Sequence, residues 1–433
     1  MSCPTPLWSR SSRLDLILLV SACCLASGAA SAQVQNESRS SWVVTGQVFD
    51  LARVDNTLYV AGPANLGVAL GGSDDPFVLL DPTTAAPTPA VIDMSVPQDG
   101  SVNTVIADGA GGWYVGGTFS GISNGGGGGW SGLAHLTPSG VDTAFRPSVN
   151  NIVNGLWKQG STLYVVGLFT QVNGLPRAGG AAFDLTTGTL LPWNPALGGG
   201  AAYRVVVSGG TVFLGGIFTT ASGTPRPGFA AVDSTTGALA ASPTTTLNTG
   251  AIVTAMELSG NTLYLGGLFT AIGAESRANI GAIDITSGAI LPFNPDANGQ
   301  VGSLLLDGTA LYMGGSFQTV GGQSRTRLAR VDAVTGALDS WSADANAAVA
   351  ALLRIGTTLY AGGGFSRIGG APRVGAAALD VDRGRPAMES RRRGRVRERA
   401  AVIDRGRHPR GGQLHARWRG AAAGCRGHRH CHQ

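Results

Sequence analysis

Short runs rich in Val, Leu, Tyr and Phe, each ended by glycine, follow one another along most of the chain and predict β-strands rather than helices. Ala202 to Ser208, Thr211 to Thr219, Gly228 to Asp233 and Ala238 to Ser242 read as four such segments in sequence. The pattern repeats when the chain is aligned on one Phe. Six copies are legible: Tyr114-Val-Gly-Gly-Thr-Phe119, Tyr164-Val-Val-Gly-Leu-Phe169, Phe213-Leu-Gly-Gly-Ile-Phe218, Tyr264-Leu-Gly-Gly-Leu-Phe269, Tyr312-Met-Gly-Gly-Ser-Phe317 and Tyr360-Ala-Gly-Gly-Gly-Phe365. The Phe spacings are 50, 49, 51, 48 and 48 residues, and a degenerate copy at Thr57-Leu58-Tyr59-Val60-Ala61-Gly62 makes seven.

In the last five copies an Arg stands eight residues after the Phe (Arg177, Arg226, Arg277, Arg325, Arg373), and an Asp seven residues after the Arg (Asp184, Asp233, Asp284, Asp332, Asp380). The Asp opens a D-x-x-T/S-G turn in most copies, a sequence in which Asp bonds the local backbone and Gly takes positive φ. Residues found once per unit in this way are structural first: turns and bonds between strands. A four-stranded unit of about 49 residues cannot bury both faces alone, so such units stack radially. The expectation is an all-β fold, a β-propeller with seven legible blades, or eight in the intact gene product. The Gly-Gly pair before the Phe marks a bend or a close approach of backbones.

Leu133-Ala-His-Leu-Thr-Pro-Ser-Gly140-Val-Asp142-Thr-Ala-Phe145 resembles the delta-60 repeat of secreted bacterial propellers. Ala182-Phe-Asp184-Leu-Thr-Thr-Gly188 followed by Trp193 is similar to the blade-docking motif of quinoprotein-like propellers, with one extra residue before the Trp. The resemblances cover roughly Val43 to Asp380 and imply a fold, with residues 43–381 read as the propeller domain; in those families the motif positions join blades and bind no quinone. Fold alone licenses no activity.

The ends of the chain differ from its body. Arg10 and Arg13 precede an apolar stretch from Leu14 to Leu25, and Ala30-Ser31-Ala32 supplies small residues for cleavage, so residues 1–32 read as an export signal. The expected location is secreted or periplasmic, the alternative being a lipoprotein anchored through Cys23, which ends the lipobox-like Val20-Ser21-Ala22-Cys23. No later stretch is apolar for long enough to span a membrane. All five cysteines lie in the signal or the tail, leaving the body without disulfides or thiolate ligands. The net charge of +5 also belongs to the tail: residues 382–433 hold 15 Arg against 4 acids, while the body holds 14 basic and 21 acidic residues, a net of −7. A nucleic-acid groove is therefore excluded there. The tail reads as an Arg-rich disordered segment with the content of a frameshifted eighth repeat. Its implied codons, read one nucleotide later with permitted synonyms, yield T-G-A-x-x-x-W and then F-T-R-V-G-G at the repeat spacing; the coding DNA decides this.

Catalytic material is sparse. No residue is assigned as catalytic, cofactor-binding or metal-binding. His135, the only histidine of the body, is assigned a structural or surface role. The acidic loops Asn294-Pro-Asp296-Ala-Asn298-Gly299 and Asp344-Ala-Asn346 offer oxygens to Ca²⁺ but lack a full calcium-loop pattern, so turn formation is expected of them. Gly125 to Gly129 reads as an inter-strand loop without phosphate-loop features. The functional expectation is an exported, non-catalytic, monomeric binding or scaffold module for a protein or polysaccharide at the cell surface. The alternative is a propeller enzyme, such as a quinoprotein-like oxidoreductase, with its site at the central channel.

Overall fold

A computed structural model describes residues 44–54, 57–63, 67–68, 77–80, 100–120 and 130–386. The export signal, the Gly125 to Gly129 loop and the tail beyond Pro386 lie outside the described residues. No helix occurs among those described, and none is long and apolar enough to cross a membrane.

Besides shorter two-stranded pairs, the described residues form seven antiparallel sheets of three or four strands in chain order. Their inner strands are Asp50–Val54, Val102–Ala107, Val153–Gln159, Ala202–Ser208, Ile252–Ser259, Val301–Asp307 and Val349–Ile355. Each pairs with a second strand carrying the repeated Tyr or Phe, and that strand pairs with a third. In the last five sheets a two-stranded hairpin, such as Gln171–Val172 with Leu175–Pro176, sits between the second and third strands.

The expected fourth strand is complete only where the chain permits it. In the sixth sheet it runs over Leu338–Ser342. In the second and third it is the two-residue Gly140–Val141 and Thr189–Leu190. In the fourth and fifth it shrinks to single bridges, Val232 to Leu239 and Ile283 to Ile290, and in the seventh the described residues end at the bridge of Leu379 to Pro386. Pro192, Pro243 and Pro292 stand in the return segments of the third, fourth and fifth sheets and supply no N–H to the ladder, whereas the sixth sheet has no proline there.

The core is distributed. Seven clusters of buried side chains lie between consecutive sheets, the last joining Val48, Leu51, Leu58 and Val60 of the first sheet to Ala351, Tyr360 and Ala376 of the seventh. The inner strands of these two sheets are also in contact, as are those of every other neighbouring pair. The fold is a β-propeller, and its first and last described sheets pack directly on each other.

The Gly-Gly pair explains how the sheets approach so closely. A Cβ on the first glycine would meet a Val methyl of the next sheet: Gly116 faces Val153 at 2.4 Å, Gly215 faces Val253 at 2.6 Å and Gly362 faces Val48 at 2.5 Å. In the third sheet Val166 takes the glycine's place, and the facing position in the fourth sheet is Ala202 instead of Val. Volume removed on one side of the socket is thus returned on the other.

Polar bonds reinforce the same interfaces. The Tyr164 hydroxyl donates to the Ser234 carbonyl at 3.0 Å, and the Trp193 indole N–H to the Asp233 carbonyl at 3.0 Å, both in the following sheet. Tyr264 donates likewise to the Ala333 carbonyl at 2.8 Å.

Candidate binding channel

The second glycine of each pair shapes the channel lining. A Cβ on Gly117, Gly167, Gly216, Gly267, Gly315 or Gly363 would lie 1.9–2.1 Å from a carbonyl oxygen at the start of its own sheet's inner strand. There the ladder slips by one residue, and the six bulged residues are Asn103, Asn154, Tyr203, Thr254, Gly302 and Ala350. Phe49, just before Asp50, holds the equivalent place in the first sheet, its N–H on the Ala61 carbonyl at 2.8 Å. A bulge re-aims a side chain out of the ladder.

All seven of these positions line one cavity of about 470 Å³ at the mouth of the channel. Several rim side chains also latch neighbouring sheets. The Asn103 amide donates to the Val153 carbonyl at 3.2 Å, Asn154 to Ala202 at 3.1 Å, and the Thr254 hydroxyl to Val301 at 2.8 Å.

Below the mouth lies a chamber of about 370 Å³ lined by Asp50, Trp157, Arg204 and Glu257 among others. Arg204 and Ala350 line both spaces. The charge of Arg204 and that of Asp50, from the first sheet, attract each other. Burial pushes the Asp50 carboxyl up and the Arg204 guanidinium down, and each opposes the shift of the other. Asp50 further accepts the N–H groups of Leu51 at 2.9 Å and Val105 at 3.0 Å. Burial also pushes Glu257 up to about 7, against one long bond from the Leu306 N–H at 3.4 Å.

The repeated residues lie elsewhere. Phe169, Phe218, Phe269, Phe317 and Phe365 are buried between sheets. Arg177, Arg277 and Arg325 each donate a guanidinium N–H to a carbonyl of the return segment, Leu191, Leu291 and Asp339, at 2.8–3.0 Å. Arg226 and Arg373 donate to the preceding carbonyls of Pro225 and Pro372. None of these arginines lines the mouth or the chamber.

Asp184, Asp233, Asp284, Asp332 and Asp380 accept backbone N–H groups two residues on, and the carbonyl of each accepts the N–H of the glycine four residues on. The last such turn closes at Gly384, with φ +62°. Backbone N–H groups, from Thr186, Thr236, Ser287 and Thr335 respectively, hold the carboxyls of Asp184, Asp233, Asp284 and Asp332 below the ordinary range.

His135 has partners that its isolation in the sequence conceals. Its Nδ1 is 2.8 Å from Asp142 and its Nε2 is 3.1 Å from Asp108, and the ring stacks on Tyr114 at 4.2 Å. Burial works against the charged forms of both acids, but His135 and local N–H groups outweigh it and hold them below the usual carboxylate range. In the sixth sheet Arg330 occupies the matching strand position, over Tyr312 and paired with Asp339 at 2.9 Å. These clusters tie strands together at the outer part of a blade. The candidate calcium loops also spend oxygens on the backbone: Asn298 Oδ1 accepts N–H from Gln318 and Thr319, Asn346 Oδ1 from Ser366 and Arg367, and Asp344 Oδ1 from Thr326. Among the described residues no group of three or more His, Cys, Asp or Glu side chains is arranged to hold a metal.

No family model matches the chain, and no curated protein matches it. Among solved structures it is similar to the computationally designed Ika8 protein, with TM-score 0.52 and 15% identity over 82% of this chain and 90% of that one. It is also similar to Sqt1 of Saccharomyces cerevisiae, with TM-score 0.50 and 12% identity over 78% of this chain and all of that one (100%). At these identities the likeness is one of fold.

Proposed function

We propose that the protein is an exported, monomeric binding module that engages a cell-surface partner through the channel mouth. The lining of the mouth carries this reading: the six bulged residues and Phe49 border a common cavity, and these seven positions (Phe49, Asn103, Asn154, Tyr203, Thr254, Gly302, Ala350) break the sameness of the repeated units. Large aromatic faces beside amides and hydroxyls suit the binding of a defined ligand. The sequence of residues 1–32 supports export, and the Leu133 to Phe145 segment supports a place among delta-60-like repeat propellers.

Fractionation of the native host tests location, with the protein expected outside the cytoplasmic membrane. Capture on a panel of purified glycans and surface proteins tests binding. Asn154→Ala and Tyr203→Ala are expected to weaken retention by tenfold or more while the protein remains folded. Retention unchanged in both variants would remove the channel mouth from the binding surface.

A second reading, a propeller enzyme, is favoured by one observation: Glu257, held near 7 within reach of the chamber, is suited to general acid chemistry. Turnover of any retained ligand, lost in Glu257→Gln, would establish it.

A further inference from the structure

Resting on the binding-module reading above, we propose that the channel mouth recognises an acidic glycan, with one uronate carboxylate seated on Arg204. Among the described residues lining the mouth, Arg204 is the one charged side chain, and it stands where the mouth meets the chamber. One of its donors is engaged by the Tyr203 carbonyl at 3.1 Å. A guanidinium has five N–H donors in a planar fork that matches a carboxylate.

Around this cation the wall is neutral and hydrogen-bonding, with Asn103, Asn154, Thr254 and Gln300, and it carries the rings of Phe49 and Tyr203. Amides and hydroxyls complement sugar hydroxyls, and aromatic faces complement the C–H faces of a pyranose. A cavity of about 470 Å³ falls within the range of small-ligand sites, roughly 300–1,000 Å³.

The chamber sets the depth. Asp50 and Glu257 line the chamber beyond Arg204 and, in their ionised forms, repel an anion that passes it. A peptide C-terminus also carries a carboxylate, but the rim is poorly disposed to pair with a peptide backbone. The carbonyls of Val153, Ala202 and Val301 at the rim already accept bonds from Asn103, Asn154 and Thr254. The body's net charge of −7 opposes non-specific adhesion of polyanions, so binding must be local to this cation.

Calorimetric titration of the full-length protein with oligogalacturonate, and with the same oligomer after reduction of its carboxyls to alcohols, tests the assignment. The acidic form is expected to bind at least tenfold more tightly than the reduced one. Arg204→Gln should abolish that difference, while Asp50→Asn, by removing a competing negative charge, should tighten binding of the acid; melting curves confirm that both variants fold. The sign of the Asp50→Asn effect is diagnostic, because a purely structural Asp50–Arg204 pair would weaken binding in both variants. Equal binding of the two oligomers, with loss in Asn154→Ala, overturns the carboxylate assignment and leaves the binding module intact. Binding of neither oligomer, or Arg204-dependent binding of a peptide C-terminus instead, overturns the glycan assignment.

Discussion

Gly362→Val is expected to destabilise the protein severely, and Val48→Ala in the same chain to restore much of the loss. The glycine lies where the seventh sheet meets the first, and a Cβ there would stand 2.5 Å from a Val48 methyl and 3.4 Å from a Leu51 methyl. Overpacking of this kind costs about 1–3 kcal/mol, and more where backbone must move. Val48→Ala alone opens a cavity and costs on the order of 2 kcal/mol. The double variant recreates the pairing already present between Val166 and Ala202, so the two costs should cancel in part, with a coupling of about 1–3 kcal/mol. Denaturant unfolding of the four proteins measures this coupling. Purely additive losses would mean that the first and seventh sheets do not share this socket, and an eighth sheet placed between them would have that effect.

The second large effect concerns pH. Glu257 carries a carboxyl raised from 4.5 to about 7 by burial. A carboxyl whose folded value is raised binds its proton more tightly in the native state, so its cost is absent below pH 4.5 and complete above pH 7. From the size of the shift that cost is at most about 3 kcal/mol, reduced to the extent that channel water reaches the group. Asp108, Asp142 and Asp339 act in the opposite sense. Burial raises each, but hydrogen bonds from local N–H groups and from His135 or Arg330 outweigh it and lower them, and the stability they confer is lost as pH falls below their ordinary value of 3.8.

Stability should therefore be greatest near pH 5 and decline on both sides. Glu257→Gln should flatten the alkaline limb, raising the melting temperature at pH 8 and leaving it nearly unchanged at pH 4.5. A melting temperature that is level from pH 5 to 8 in the native protein, and unmoved by the substitution, would contradict the burial of Glu257.

The parts of the molecule legible in the sequence are those that every unit needs alike. The Phe, the Arg, the Asp turn and the Gly-Gly pair recur because each blade packs, turns and bends in the same way, and alignment finds what is constant. Even the bend and the close approach expected of Gly-Gly are both present, divided between its two glycines.

The candidate site escaped for the complementary reason. Asn154, Tyr203, Thr254, Gly302 and Ala350 all stand fifteen residues before the repeated Phe, yet they share no chemistry, so a search for sameness passes over them. Asp50, Arg204 and Glu257 meet only after the ring closes, and nothing local in the sequence links them. His135 was visible as a singleton, but Asp108 lies 27 residues away on a turn outside the repeat signature. The shortened fourth strands were foreshadowed by prolines whose missing N–H carries more weight than the β-preference of their neighbours.

Two sets of substitutions, compared in melting temperature and in ligand retention, test most directly whether constant positions hold the ring and varied positions form the site. The first set comprises Asn154→Ala, Tyr203→Ala and Thr254→Ala at the bulges, the second Gly116→Ala, Gly266→Ala and Gly314→Ala at the sockets. The bulge set is expected to lose retention by tenfold or more with melting shifts of a few degrees. The socket set is expected to melt far lower, while the fraction that remains folded retains ligand normally. Loss of retention in the socket set alone, with the bulge set indistinguishable from the native protein, would contradict the assignment of the channel mouth as the binding site.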